Sequence, residues 1–324
     1  MSEHNSERNR RYVIISPCRD EAEFMLQTLD SVVAQTETPS LWLIVDDGST
    51  DKTPEILAEY EAKYDFIKIF KRENRGFRSV GPGVVDAFYS GYRQINPDDF
   101  DYICKLDLDL ELPPKYFEIL MDRMEANPRL GTCSGKPYNR INGQMISERR
   151  GDELSVGMTK FFRMACFRQI GGFVRQVMWD AIDCHKAREL GWTVRSWDEP
   201  DLRFIHLRLM GSSQHSIYTG RQRHGFGQFF MGTGLIYMLA SSVFRMLERP
   251  YILGGFAMYW GYLKCYFNGT ERHEDKTLSE FIRRFQWRCL IKGKNKAMVD
   301  LEAECESIWN PNGPSLPMPV DGTA

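Results

Sequence analysis

Acidic side chains alternate with leucines in the segment KLDLDLELPP, residues 105–114. If one strand continues through this segment, Asp107 and Asp109 point to the same face. Hard divalent cations bind carboxylate oxygens, and Mg²⁺ typically takes one or two of them together with substrate phosphates. Two aspartates at this spacing could therefore hold a metal–diphosphate complex. The spacing alone fits an exposed strand end with solvated acids equally well.

A second acidic pair lies in the segment IVDDGSTD. Asp46 and Asp47 could accept hydrogen bonds from a nucleoside base or a ribose, and a turn with a helix cap is the alternative. The chain has no G-x-G-x-x-G or G-K-[ST] phosphate loop. In the later glycine-rich segment NRGFRSVGPG, Arg75 and Arg78 could meet a phosphate or a base, and a solvated loop is the alternative.

The first third of the chain alternates strand-like and helix-like segments. Strands are predicted at 11–16, 41–47, 66–70 and 101–109. The helix after the second strand should be capped by Thr53, with Pro54 at its first position. This alternation favours a mostly parallel sheet covered on both faces, and such sheets bind ligands beyond the carboxyl ends of their strands. The two acidic pairs end the second and fourth strands, where that rule places a ligand.

The composition is that of a folded globular protein. Of the 324 residues, 42% are hydrophobic and 27% are charged, and the net charge is −2. The eight cysteines form no C-x-x-C pair, which indicates reduced and mostly buried thiols. No apolar segment lies near the start, so we expect a cytosolic chain. We expect no nucleic-acid partner.

Two uncharged segments stand out in the last third, at 225–244 and 250–263. The first contains polar residues and four glycines, which lower its hydropathy, and the second is too short to span a bilayer. We expect two helices in the membrane interface; a true span and a buried pair of helices are the alternatives. The basic flanks suit an anionic leaflet and comprise Arg221, Arg223, Arg245, Arg249 and Lys264.

The order of several motifs resembles a known family. These are SPCRDEAEFMLQTLDSVVAQT, IVDDGSTDKT, NRGFRSVGPG, LDLDLELPP, IGGF and WDAIDCHKARELGW followed by RFIHLR. Each is weak alone, but the ordered set is similar to family 2 glycosyltransferases with a GT-A fold, over roughly residues 11–210. The resemblance implies an α/β fold, a mostly parallel sheet flanked by helices, and a nucleotide-diphosphate sugar donor.

The resemblance also implies roles for individual residues. Asp109 would bind Mg²⁺ or Mn²⁺, with Asp107 and His206 as further candidate ligands; a structural histidine is the alternative for His206. The family's Glu-Asp pair falls on Trp179 and Asp180, so Asp180 is the expected catalytic base and Asp183 the second candidate. The donor nucleotide would contact Pro17, Arg19, Glu21, Asp46, Asp47, Arg75, Arg78 and Asp107.

The C-terminal third resembles membrane-associated bacterial members that build surface polysaccharides or glycolipids, whose acceptors are usually polyprenyl-diphosphate-linked sugars. Trp179, Arg221 and Arg223 would contact that acceptor or the membrane surface. Processive synthases carry several long spans and a Q-x-x-R-W motif, and this chain has neither. Transfer of a single sugar is therefore expected.

These expectations describe an inverting, metal-dependent glycosyltransferase on the cytoplasmic face of a bacterial inner membrane. Its expected parts are a disordered tail (1–10), a GT-A catalytic domain (11–215), a helical membrane-associating region (216–305) and a flexible tail (306–324). A non-catalytic sugar-nucleotide-binding or membrane scaffold with the same fold is the alternative. A nucleotidyltransferase would need a basic glycine-rich loop near the first strand, where SPCRDEAEF is acidic instead.

Overall fold

The computed structural model describes residues 10–74, 76, 81–208, 217–247 and 250–319. The predicted donor residues Arg75 and Arg78, and the predicted domain boundary at 215, lie outside these ranges. The strands are β1 (Tyr12–Cys18), β2 (Leu41–Asp46), β3 (Ile67–Lys71), β4 (Tyr102–Leu106), β5 (Leu110–Glu111), β6 (Leu130–Ser134), β7 (Lys136–Ile141), β8 (Gln144–Ser147), β9 (Thr159–Arg163), β10 (Thr193–Ser196) and β11 (Arg203–His206). The helices are α1 (Met25–Val33), α2 (Thr53–Lys63), α3 (Pro82–Tyr92), α4 (Tyr116–Ala126), α5 (Met164–Gln169), α6 (Trp179–Glu189), α7 (Ile217–Phe230), α8 (Leu235–Arg245), α9 (Leu253–Phe267), α10 (Lys276–Lys292) and α11 (Lys294–Glu304).

A seven-stranded sheet has the order β10-β6-β9-β4-β1-β2-β3. Its neighbours pair in parallel except for β9, which is antiparallel to both β4 and β6. One face is covered by α1, α2 and α4, and the other by α3, α5 and α6, so the strands are buried on both sides. The predicted α/β architecture, a mostly parallel sheet flanked by helices, is confirmed.

The predicted fourth strand is too long, because β4 ends at Leu106. Asp107 and Asp109 therefore lie in a loop and do not share a strand face. The Asp107 amide donates to the Met158 carbonyl at 2.9 Å, and the Leu110 amide donates to Thr28 Oγ1 at 2.9 Å. These bonds lead the chain out of the large sheet and into β5.

A second sheet of four strands, in the order β5-β11-β7-β8, was not predicted. Strand β11 pairs antiparallel with β5 and parallel with β7, and β7 forms a hairpin with β8. The pairing of β5 with β11 sets His206 opposite Leu110, next to the acidic loop. The small sheet therefore brings the end of β11 to the carboxyl end of β4.

Thr53 is the first residue of α2 and does not cap it. The N-cap residue is Lys52, which makes no side-chain cap bond, and Asp51 Oδ1 just before it accepts from the Thr53 amide at 2.9 Å. The Thr53 hydroxyl oxygen instead accepts from the Glu21 amide at 2.9 Å. Pro54 does lie in the first turn, as predicted. The threonine thus ties the start of α2 to the loop after β1.

The uncharged segment 225–244 is divided between two helices, because α7 ends at Phe230 and α8 begins at Leu235. Helices α7 and α9 approach closely at glycines: a Cβ on Gly225 would lie 2.0 Å from the Met258 carbonyl oxygen. Within the described ranges, none of the helices combines the length and the apolar character needed to cross a bilayer.

Both predicted tails have residues that contact the rest of the chain. Arg10 forms ion pairs with Glu37 at 3.1 Å and Glu125 at 2.8 Å. Residues 306–319 pack on the catalytic domain, where the Trp309 ring meets Trp192 at 5.6 Å and the Leu316 amide donates to the Arg168 carbonyl at 3.0 Å. The disordered tail at 1–10 and the flexible tail at 306–324 stay predictions. All eight cysteines are free, and seven are buried, as predicted.

Candidate active site

The acids that end β2 are held in place by neighbouring polar groups. Asp46 Oδ1 accepts from the Ser49 amide at 2.9 Å, which fixes the turn after β2. Asp47 pairs with Arg72 at 2.7 Å, and Arg19 donates to the Asp47 carbonyl at 2.9 Å. The sequence analysis missed Arg72, although its position just after β3 places it at the same edge of the sheet.

Glu21, in the loop after β1, forms an ion pair with Arg208, which follows β11. Arg208 Nε also lies 3.4 Å from Asp109 Oδ2, so one guanidinium links the loop after β1 to the acidic loop after β4. Arg208 ends the quoted motif RFIHLR, but the sequence analysis gave it no role. Pro17 lies within β1 opposite Val45, half-buried beside these residues.

Asp109, His206 and Glu148 form a connected row of polar side chains. His206 Nε2 lies 3.6 Å from Asp109 Oδ2, and His206 Nδ1 lies 2.6 Å from Glu148 Oε1. The side chains of Asp109 and His206 are 14% and 9% exposed, so both keep a small solvent-accessible surface. Glu148 was not predicted either, because it lies far from the motifs in the sequence. The small sheet places it beside His206.

The pKa values in this row reflect mutual stabilisation of charge. Burial alone would lower the pKa of His206, but hydrogen bonds with Asp109 and Glu148 raise it to about 9. Burial alone would raise the pKa of Asp109, but the hydrogen bond with His206 and the charges of His206 and Arg208 lower it. An ionised carboxylate at position 109 suits a cation or a charged partner.

Lys105 connects the acidic loop to a second segment of the chain. Its ammonium pairs with Asp107 and donates to the Gly157 carbonyl at 3.0 Å. It also lies 5.2 Å from the centre of the Trp179 ring, a cation–π contact. A Cβ on Gly157 would lie only 2.9 Å from Asp180 Oδ2, so Asp180 packs directly against this glycine.

Asp180 lies in the first turn of α6. Acidic residues suit that position because the helix dipole is positive there. Lys160 Nζ donates to the Asp180 carbonyl at 2.6 Å from beneath the helix. The residue before α6, Met178, has a left-handed backbone with φ of 66°, which turns the chain sharply into the helix.

Two predicted residues are unsuited to the roles expected of them. Asp183 is 1% exposed and pairs with Lys160 at 2.5 Å, so its carboxylate cannot reach an acceptor hydroxyl in this structure. Trp179 packs edge-on against Phe173 at 4.7 Å and is buried in the core. Both corrections have one cause: the inward face of α6 is buried against the sheet.

Arg221 and Arg223 lie on α7, which packs against α9. Their charges, with those of Arg150 and Arg245, surround His224. Burial first, and then these four positive charges, lower the pKa of His224 to about 3. The two predicted acceptor arginines therefore belong to a wider basic cluster drawn from three segments of the chain.

Within the described ranges, no group of three or more His, Cys, Asp or Glu side chains has the geometry of a complete metal site. Asp109 and His206 nevertheless supply one carboxylate and one imidazole side by side. Such a partial set fits Mg²⁺ or Mn²⁺ bound jointly with a diphosphate, since Mg²⁺ keeps few protein ligands in phosphate sites.

The family model for glycosyl transferase family 2 matches residues 13–174, which is half of the chain. The chain belongs to this family. The matched range contains the two acidic pairs, Lys105 and Gly157, whereas Asp180 and His206 lie beyond it.

Relatives of this family 2 member include the poly-β-1,6-N-acetyl-D-glucosamine synthases of Staphylococcus epidermidis and Staphylococcus aureus (strain COL). Each is 27% identical over 131 residues, which cover 40% of this chain and 29% of the relative. The match thus spans less than a third of those proteins' length.

Solved structures resemble the fold. The structure of GalNAc-T7 superposes with a TM-score of 0.53 and 12% identity, covering 82% of this chain and 58% of that one. A structure of TarS residues 1–349 from S. aureus gives a TM-score of 0.49 and 14% identity, covering 92% of this chain and 90% of that one. The GT-A architecture expected from the sequence is confirmed.

Proposed function

We propose that this chain is an inverting, metal-dependent glycosyltransferase that moves one sugar from a nucleotide-diphosphate sugar to a saccharide acceptor. The observation that carries the proposal is the pair of hydrogen bonds from Lys105. One links it to Asp107 in the acidic loop, and the other to Gly157, against which Asp180 packs. These contacts support a metal–diphosphate site and a carboxylate base that are linked through one lysine.

The chemistry of sugar transfer assigns roles to the residues near Asp107 and to those near Gly157. Asp109 and His206 would hold Mg²⁺ or Mn²⁺, which stabilises the negative charge that develops on the leaving diphosphate. Asp180 accepts the proton of the attacking acceptor hydroxyl. Because Asp183 is buried, Asp180 serves as the base, and we assign a nucleophilic role to none of the carboxylates in the described ranges. Direct displacement at the anomeric carbon inverts its configuration.

The comparisons support the class of donor and product. The GalNAc-T7 structure is described with UDP, GalNAc and Mn²⁺, and the staphylococcal relatives are named for a polymer of N-acetylglucosamine. We infer from these comparisons that this chain uses a nucleotide-diphosphate sugar as donor and a divalent cation as cofactor. Its product would be a surface polysaccharide or glycolipid.

We further propose that the acceptor is lipid-linked and that the chain works at the cytoplasmic face of the inner membrane. Helices α8, α9 and α10 expose large apolar side chains to solvent: Leu235, Ile236, Leu239, Val243, Phe244, Leu253, Phe256, Trp260, Trp287, Leu290 and Ile291. Cations follow on α10, at Arg283, Arg284, Arg288 and Lys292. An apolar face bordered by cations is typical of helices that lie in an anionic membrane interface.

The basic cluster around His224 supports an anionic group in the acceptor. Four guanidinium groups, those of Arg150, Arg221, Arg223 and Arg245, contribute positive charge around His224. Guanidinium groups bind phosphate oxygens through paired, charge-assisted hydrogen bonds. A polyprenyl diphosphate presents such oxygens at the membrane surface, next to the sugar that would receive transfer.

The decisive experiment incubates the purified chain with a panel of nucleotide sugars and measures release of nucleoside diphosphate with Mn²⁺, Mg²⁺ or EDTA. Asp109→Asn should abolish metal-dependent donor binding. Asp180→Asn should remove turnover and leave donor affinity near that of the wild type. NMR of the product gives the anomeric configuration. Binding without turnover for every donor and acceptor would favour the non-catalytic scaffold, and full activity of Asp180→Asn would falsify the assignment of the base.

A further inference from the structure

Glu148 lies beside His206 although 58 positions separate them in the sequence. It directly follows β8, whose partner β7 pairs with β11, the strand that ends at His206. The Glu148 amide donates to the Pro137 carbonyl at 3.1 Å, and Asn139 Nδ2 donates to the His206 carbonyl at 3.0 Å. Both residues are thus fixed to β7 through the main chain.

The Glu148 carboxylate is almost fully enclosed. Its side chain is 3% exposed, and Oε1 lies 2.6 Å from His206 Nδ1. Its other oxygen makes no hydrogen bond among the described residues, and Arg150 approaches it only at 4.0 Å. A buried carboxylate is costly unless its charge is used. Its strongest contact in the described part of the chain is the one to His206.

The two ring nitrogens of histidine have different tasks when the ring binds a metal. An ionised carboxylate accepts hydrogen bonds and cannot donate one. The ring nitrogen that faces it must therefore carry a proton. With Glu148 at Nδ1, the proton stays on Nδ1. When a divalent cation replaces the proton on Nε2, the lone pair of that nitrogen faces the side of Asp109, whose Oδ2 lies 3.6 Å away. Partners of this kind fix the ring and raise metal affinity 10–100-fold in metal sites.

We propose that Glu148 is a positioning residue that holds the proton of His206 on Nδ1 and directs Nε2 toward a divalent cation shared with Asp109. The inference rests on the proposed function, since it supposes that the site binds a cation. It adds a residue that lies outside every motif of the sequence and outside the acidic loop. The alternative is that Glu148 only stabilises the small sheet.

The test measures Mn²⁺ affinity of the full chain in the presence of UDP, by the electron paramagnetic resonance signal of free Mn²⁺, with a blank of UDP without protein. Glu148→Ala should weaken Mn²⁺ binding about 10–100-fold. Glu148→Gln keeps an oxygen that accepts from Nδ1–H and should weaken binding less. The control is Glu59→Ala, an exposed position on α2, which should bind Mn²⁺ as the wild type does.

Thermal unfolding of the same variants separates the two roles. A purely structural role would lower the melting temperature and leave Mn²⁺ affinity unchanged. Wild-type affinity in folded Glu148→Ala would overturn the inference; if that variant does not fold, unchanged affinity in Glu148→Gln overturns it. A wild type that binds no Mn²⁺ would instead contradict metal dependence itself, and the inference would fall with it.

Discussion

Lys160 donates a hydrogen bond of 2.6 Å to the main-chain carbonyl of Asp180, the candidate base. The same ammonium pairs with Asp183 at 2.5 Å and donates to Cys184 Sγ at 3.1 Å. Burial alone would lower the pKa of Lys160, but the charge of Asp183 raises it. The first turn of α6 is therefore held to strand β9 by a charged lysine with no exposed surface.

Lys160→Met should destabilise the protein strongly. It leaves the Asp183 carboxylate buried without a cation, and breaking a buried pair in this way costs about 3–5 kcal/mol. Urea unfolding measures the loss. Lys63→Met, at the exposed end of α2, is the control and should stay within about 0.5 kcal/mol of the wild type. The double variant Lys160→Met with Asp183→Asn should recover part of the loss, and equal losses for the single and double variants would contradict the pairing.

Gly157→Ala should reduce turnover more than stability. The added Cβ would lie 2.9 Å from Asp180 Oδ2, so the carboxylate must move away from its present position. Displacement of a catalytic group by about 1 Å can cost about 100-fold in rate. The measurement is kcat for the active donor, with donor affinity as the comparison.

Gly234→Ala is the matched control for that variant, because its added Cβ would meet no atom closer than 3.9 Å. It should retain near-wild-type kcat. If Gly157→Ala turned over at the wild-type rate, Asp180 could not be the base in the position seen here.

Acid should destabilise the fold partly through His185. This histidine is 6% exposed and packs on Phe285 at 5.5 Å. Burial first, and then the charges of Arg188 and Lys160, lower its pKa to about 3. The unfolded chain binds a proton near pH 6.5 and the folded chain does not, so stability falls as the pH drops from about 6.5 toward 3.

At pH 5 this difference amounts to about 2 kcal/mol for one histidine. His185→Gln should therefore show a smaller loss of stability between pH 7.5 and pH 5 than the wild type does. Urea unfolding at both pH values measures the two losses. Identical losses in the variant and the wild type would show that His185 is not held neutral in the fold.

Phe244→Glu should weaken binding to lipid vesicles. Phe244 is 66% exposed on α8, and burying a side chain of this size contributes about 1.5–3 kcal/mol, or roughly a 10–100-fold change in affinity. Sedimentation with phosphatidylglycerol vesicles measures the loss, and the melting temperature should not change. Leu26→Glu, at an exposed position of α1, is the control. Equal binding by both variants would exclude α8 from the membrane contact.

The sequence by itself determined four of the seven strands of the large sheet and half of the candidate site. Apolar runs of strand length alternate with helical segments, and that local pattern specifies parallel strands without knowledge of distant contacts. Asp46 ends one such strand and Asp107 follows another, so their place at the carboxyl edge was predictable. The motif order predicted Asp180 at the start of α6, where the structure has it.

Only the tertiary structure decided which side chains support those residues. Glu148, Arg208 and Lys160 carry no local signal, because each is a single charge whose partner lies far away in the sequence. It also decided that Asp183 is buried and that residues 306–319 pack on the catalytic domain. Local patterns reveal periodicity and strand ends, whereas the pairing of buried charges depends on contacts that exist only after the two sheets have assembled.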